Sequence, residues 1–298
     1  MEPNDELESP GEPTRDLGRL IVQGPDRPGI VASVSRVLSD HGANIVSLAQ
    51  SSSDPSGGRF FQRTVFHLPE LWVKLDALRS SLTATVGQLG LDFRLVEAAR
   101  RKRVAIFVSK ADHCLLDLLW RQRRGDLPMA VPMVVSNHPD LSADVRQFGI
   151  PYFHVPVERG NREAAEREQL HLLKGNVDLV VLARYMQILS RGFLDELGAP
   201  VINIHHSFLP AFIGPNPYQR AKDRGVKLIG ATAHYVTEDL DEGPIIEQDV
   251  IRVGHHESVR ELQRKGADVE RLVLSRAVAW HCADRVIRDG NTTVVLLP

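Results

Sequence analysis

The chain has 298 residues, 43% of them hydrophobic and 25% charged, which suits one large soluble domain or two modest ones. A net charge of -2 argues against binding that rests on neutralising nucleic-acid phosphates, and no apolar stretch is long enough to span a bilayer. Its two cysteines, Cys114 and Cys282, lie far apart and outside any C-x-x-C pattern, which argues against a disulfide framework and fits a reducing, cytoplasmic setting.

In chain order, residues 1–16 are acidic and proline-rich, without the basic start or apolar stretch of a signal peptide, and predict a disordered leader. Residues 20–23 predict a strand. The turn cluster Gly24-Pro25-Asp26-Arg27-Pro28-Gly29 then opens a helix, with Ile30, Val31, Val34, Val37 and Leu38 at helical spacing. Gly42 ends it where a left-handed residue is wanted. Residues 43–53 and 59–68 predict a hairpin around a D-P-S-G-G turn, 71–89 an amphipathic helix and 91–96 a last strand. The order βαββαβ is that of a ferredoxin-like domain, set at residues 17–98. Gly24 to Ala32 followed by Gly42-Ala43-Asn44-Ile45 resembles an ACT domain, a small regulatory module that commonly binds amino acids. Close backbone approach at Gly29, beside the free N–H groups of a helix N-terminus, would suit a carboxylate. The resemblance makes Asp26, Arg27, Gly29, Ile30 and Asn44 the candidate effector-binding residues. It implies glycine or methionine as effector and edge-to-edge pairing into a homodimer or homotetramer.

Residues 99–103, with the basic run Arg100 to Arg103, read as a solvated linker. From 104 to 298 the pattern changes. Strands are predicted at 104–108, 131–135, 152–154, 179–183 and 201–204, with helices at 114–122, 163–173 and 259–287. Short apolar strands alternating with helices indicate a mostly parallel, Rossmann-like sheet covered on both faces, so the fold class is α/β. Ligands of such sheets sit beyond the carboxyl ends of strands, where Asn203 and His205 fall.

The segment V-I-N-I-H-H-S-F-L-P-A-F-I-G from Val201 and the carboxylate-rich T-E-D-L-D-E-G-P from Thr237 carry the chemistry. An asparagine amide stabilises an oxyanion growing on a carbonyl oxygen, a histidine exchanges protons near neutral pH, and an aspartate orients a water. Asn203 and His205 share one side of an extended chain and His206 faces the other. Ser207 lacks a nucleophile elbow and reads as a loop hydroxyl. His234, in an apolar strand, reads as a core histidine, and His255-His256 as solvated. No H-E-x-x-H or C-x-x-C spacing supports a metal, and none is expected.

These two motifs resemble the folate-dependent formyltransferase superfamily from about residue 104 onward. The resemblance implies a triad of Asn203, His205 and Asp241. It also implies a pterin pocket from Arg184, Tyr185, Met186, Gln187, Ile188 and Leu189, covered by Glu238, Asp239 and Leu240. An ACT-like domain ahead of such a domain is similar to the formyltetrahydrofolate deformylases, which hydrolyse 10-formyltetrahydrofolate to tetrahydrofolate and formate and so balance the one-carbon pool that purine biosynthesis draws on. Folate is then substrate, and no cofactor is expected. Pro215 and Gln219-Arg220 depart from the family pattern on the flap beside the site.

Water as acceptor is favoured by the first βα loop. A phosphorylated ribonucleotide acceptor wants a glycine-rich cradle at a helix N-terminus, and no glycine stands between Val104 and Arg124. Lys110 alone reads as solvated. Formyl transfer to an unidentified amine is the alternative, and an amino-acid-binding regulator with a dead site a third reading that the intact triad opposes.

Overall fold

The computed structural model describes residues 14–54, 56–158, 160–210 and 217–297, so most of the expected leader, and Pro215, lie outside the described residues. By packing, the chain divides into two units: Met1–Arg101 with Ala283–Ile287 and Val294–Pro298, and Lys102–Cys282 with Arg288–Thr293.

In the first unit the elements are β1 (Leu17–Pro25), α1 (Ile30–Asp40), β2 (Asn44–Ser52), β3 (Arg59–His67), α2 (Leu71–Gln88) and β4 (Asp92–Glu97). They form the expected βαββαβ arrangement as an antiparallel sheet in the order β2-β3-β1-β4. Strand alternation sends Leu20, Val22, Phe66 and Leu95 to one face, where they meet Ile30, Val34 and Leu38 of α1 and Leu78 and Leu82 of α2. Gly29 has φ 91° just before α1, and a side chain there would meet nothing within 4 Å. The glycine therefore serves a left-handed turn rather than a close backbone approach.

The second unit contains β5 (Lys102–Val108), α3 (His113–Arg124), β6 (Met129–Ala130), β7 (Val134–Ser136), α4 (Ser142–Arg146), β8 (Tyr152–His154), α5 (Arg162–Leu173), β9 (Leu179–Leu182), α6 (Arg191–Leu197), β10 (Val201–His205), α7 (Pro217–Arg224), β11 (Leu228–Tyr235), β12 (Ile245–Arg252) and α8 (Val259–Cys282). The sheet runs β12-β11-β10-β9-β5-β7-β8, with β6 beside β5. Pairs from β10 to β8 are parallel, and β11 and β12 add an antiparallel edge. The central strands are apolar throughout because both faces are covered: Val104 to Val108 and Leu179 to Val181 are fully buried.

Two expectations change. Lys102 and Arg103 belong to β5 rather than to a solvated linker. Arg103 binds the Asp178 carboxylate through Nε (3.1 Å) and Nη2 (2.9 Å), and Lys102 Nζ donates to the His281 carbonyl (2.6 Å). The long C-terminal helix, expected to reach residue 287, stops at Cys282. Asp284 turns left-handed at φ 56°, and Arg94 (3.1 Å) and Arg19 (3.5 Å) neutralise its buried carboxylate. The chain then forms a hairpin of β13 (Val286–Asp289) and β14 (Thr292–Val295), placing Ile287 and Leu296 against Ile21 and Phe61.

Candidate active site

β10 ends inside the second unit with Asn203 and His205 two residues apart, at the carboxyl end of the parallel strands. Both line one cavity of about 1170 Å³ that also takes in His206, His234, Asp241 and the segment around Met186. Asp241 comes from the loop after β11 and has φ 60°, a costly conformation for a residue with a side chain. That loop is pinned at its far end: Tyr235 N–H donates to Pro244 O (2.9 Å), and a Cβ on Gly243 would fall 1.8 Å from the Tyr235 carbonyl. Only glycine lets the carboxylate loop close onto the strand end.

Of the three expected catalytic residues, His205 and Asp241 meet directly, and Asn203 lines the same cavity. His205 Nδ1 lies 3.3 Å from Asp241 Oδ1, while its buried Nε2 has no hydrogen-bond partner among the described residues. The bond from His205 holds the Asp241 carboxyl below its ordinary range, against the opposing effect of burial, so the group is ionised at neutral pH. Across the β10–β11 pair, Asn203 stands opposite His234. His234 Nδ1 lies 3.0 Å from the Tyr235 carbonyl, which fixes the proton on Nδ1 and leaves Nε2 to accept from Asn203 Nδ2 at 3.2 Å. Burial lowers the His234 pKa, so the ring is neutral and its 3.7 Å approach to Asp241 is no ion pair. His234 is thus more than the core histidine that its strand suggests: it orients the Asn203 amide.

His206 faces the same cavity, its ring 5.3 Å from that of His205. Burial, reinforced by the Arg184 charge, lowers its pKa to about 4 and keeps it neutral. Ser207 is buried and its carbonyl accepts from Thr232 Oγ1 (2.9 Å), a structural arrangement in the loop beyond β10. His255 and His256 are exposed.

The segment after β9 divides. Arg184 is held at φ 62°, its carbonyl accepting from Ser109 N–H (3.3 Å), and Ser109 Oγ accepts from Met186 N–H (3.0 Å). Tyr185 and Leu189 turn into the core; Tyr185 Oη accepts from Gln169 (2.9 Å) and burial pushes the phenol up to about 12. Met186 and Ile188 stand 58% and 59% exposed, and Leu240 across the cavity 60%. Gln187, Glu238 and Asp239 complete this rim, Glu238 ion-paired to Arg191 (2.7 Å). Gln219, on the flap helix, bonds Asp223 (2.8 Å) on the same exposed face.

One cluster at the cavity was not anticipated. Glu270, a carboxylate on the apolar stripe of α8, accepts from Tyr218 Oη (2.7 Å), lies 2.9 Å from His113 Nε2 and 3.5 Å from Arg184 Nε. Burial by itself would raise its pKa, but His113, Arg184 and Tyr218 outweigh that and hold it ionised. His113, Cys114 and Glu270 bring potential ligand atoms within 4.8 Å of one another. The donor set does not fit a metal: both Glu270 oxygens are engaged, and burial, then the Glu270 charge, push the Cys114 thiol well up, away from thiolate.

In the first unit, Asp26 accepts from Ser52 Oγ, Arg27 donates to the Gln88 carbonyl (3.2 Å), Asn44 opens β2 exposed, and Ile30 is buried in the core.

Among known proteins, the formyl transferase family matches residues 102–278 and the ACT domain residues 18–70. The chain is similar to a formyltetrahydrofolate deformylase of Mycobacterium bovis, 64% identical over 94% of this chain and 91% of the relative. A crystal structure of a formyltetrahydrofolate deformylase from Pseudomonas syringae pv. tomato superposes with TM-score 0.90 at 46% identity, covering 94% of each chain. A glycinamide ribonucleotide transformylase 1 from Symbiobacterium toebii superposes with TM-score 0.63 at 29% identity, over 66% of this chain and 95% of that one. Among the described residues no helix is long and apolar enough to cross a membrane.

Proposed function

The chain belongs to the formyltetrahydrofolate deformylase family, and on that premise we propose that it hydrolyses 10-formyltetrahydrofolate to tetrahydrofolate and formate through Asn203, His205 and Asp241. The convergence of an amide, an imidazole and an ionised carboxylate on one cavity carries this reading.

His234 takes one hydrogen of the Asn203 amide, leaving the other for the formyl oxygen. His205, with Nδ1 turned to Asp241 and Nε2 without a protein partner, is the second group placed to meet the formyl oxygen and to exchange a proton there. Asp241 orients a water with its remaining acceptor capacity and takes a proton as the tetrahedral oxyanion forms. A carboxyl held low is a poor proton store. The proton therefore passes on to the folate nitrogen through His205 or water, and that nitrogen leaves as the intermediate collapses. Met186, Ile188 and Leu240 offer exposed apolar faces to the pterin, and backbone groups of residues 184–189 its polar edge. No cofactor enters this chemistry, since folate is consumed as substrate.

The ACT match supports a small-molecule effector on the first unit, glycine or methionine, met by Asp26, Arg27, Gly29 and Asn44, with Ile30 supporting the turn from the core. Pairing of two such units into a homodimer or homotetramer, and a cytoplasmic setting, complete the proposal.

Purified protein given 10-formyltetrahydrofolate and no amine should release formate and tetrahydrofolate one for one. Folate binding without formate release would return the transfer reading.

A further inference from the structure

Resting on the hydrolase reading, we propose that the cluster of Glu270, His113, Tyr218 and Arg184 determines acceptor specificity. It fills with protein groups, a buried carboxylate among them, the corner of the cavity where a phosphorylated amine would enter, and so leaves that place to water.

The corner is built around the N-terminus of α3, whose first residue is His113. The first turn of a helix after a parallel strand is where the free N–H groups and the dipole favour a phosphate. Here a protein carboxylate already occupies that position. His113 Nε2 is taken by Glu270 (2.9 Å), and the carboxylate lies within the cavity lining, only 2% exposed. A phosphate entering beside an ionised carboxylate would meet repulsion in a site screened from water. The preceding loop, Ser109-Lys110-Ala111-Asp112, has no glycine to wrap a phosphate, and Lys110 points into solvent.

Sterics act in the same direction. Tyr218 from α7 reaches across to Glu270 (2.7 Å), closing the space between α7 and α8. This placement depends on one residue of α8: a Cβ on Gly266 would fall 1.9 Å from the Tyr218 hydroxyl. A helix interior disfavours glycine, so its presence here fits the need for close contact. Arg184 approaches Glu270 from the same lining, its Nε at 3.5 Å.

The test uses the full chain and glycinamide ribonucleotide as probe, because it carries both a primary amine and a phosphate. Formate release from 10-formyltetrahydrofolate is measured with and without millimolar probe, and the ratio is the readout, so changes in basal rate cancel. The wild-type ratio should stay within about twofold of unity. Glu270→Gln, which keeps side-chain volume but removes charge, and Tyr218→Ala, which opens the corner, should each show formate release cut about fivefold or more by the probe, whether the amine blocks water or is itself formylated. A wild-type enzyme slowed equally by the probe would overturn the proposal. So would variants that still release formate with a wild-type folate KM and ignore the probe. Failure of the wild type to release formate in the probe-free control would instead strike the hydrolase reading.

Discussion

Around one cavity the protein sets two unlike surfaces against each other. The floor is polar and hydrogen-bonded: Asn203, His205, His234, Asp241 and Glu270 each have a partner, and His205, His234 and Glu270 are buried. The rim is apolar and open, with Met186, Ile188 and Leu240 each more than half exposed. The floor's own hydrogen bonds orient these groups before substrate arrives and leave His205 Nε2 and one Asn203 amide hydrogen for charge that develops during reaction. The rim leaves its apolar area uncovered, so that area leaves water only when a flat ligand lies on it. Floor residues should therefore move kcat and rim residues KM.

The largest effect belongs to the triad. Asp241→Asn and Asn203→Ala should each lower kcat by about 100- to 1000-fold with folate KM changed only a few-fold, as steady-state formate assays would measure. A tenfold or smaller loss from Asp241→Asn would remove the carboxylate from the mechanism. Next comes His234. His234→Phe deletes the acceptor for the Asn203 amide and should cost on the order of tenfold in kcat, while His234→Gln, which keeps an acceptor, should recover part of it. Equal losses in both would reduce His234 to a packing residue. Met186→Ala and Ile188→Ala should raise KM about 5- to 10-fold with kcat within about twofold, the worth of one apolar face uncovered. A kcat loss there would blur floor and rim.

A last effect is on stability rather than rate and comes from His206 at the floor's edge. Its pKa falls from the ordinary 6.5 to about 4 on folding, because burial disfavours the charged ring. Between these values the unfolded chain binds a proton that the folded chain refuses. The stabilisation from this neutral ring is full above pH about 6.5 and falls as pH drops toward 4, by on the order of 3 kcal/mol. His206→Gln should flatten that part of the denaturation profile relative to wild type, while an unchanged slope would place the titration elsewhere.

Much of the architecture was legible because periodicity carries it. A short apolar run marks β1, a turn cluster between two strand-like stretches marks β2 and β3, helical spacing marks α1, and unbroken apolar runs mark β5 and β9. Asn203 and His205 were legible for a local reason, two polar residues at spacing two on the end of an apolar strand. His234 misled because its role depends on strand register: it stands opposite Asn203, and nothing within its own strand says so. Glu270 and His113 lie 157 residues apart and meet only through the packing of α3 on α8. A signal did exist, since Glu270 falls on the stripe shared by Leu262, Val269 and Val273, where a carboxylate demands partners. The end of α8 was missed because left-handed Asp284 is stabilised by arginines more than 180 residues earlier, not by any local stop signal.

The central claim is that water attacks the formyl carbon. Turnover of 10-formyltetrahydrofolate in water enriched with oxygen-18, with the released formate analysed by mass spectrometry, tests it most directly. Formate carrying one heavy oxygen per molecule, at the enrichment of the solvent, is the predicted result. Formate without label, or a formyl group recovered on an amine instead of formate, would contradict the account.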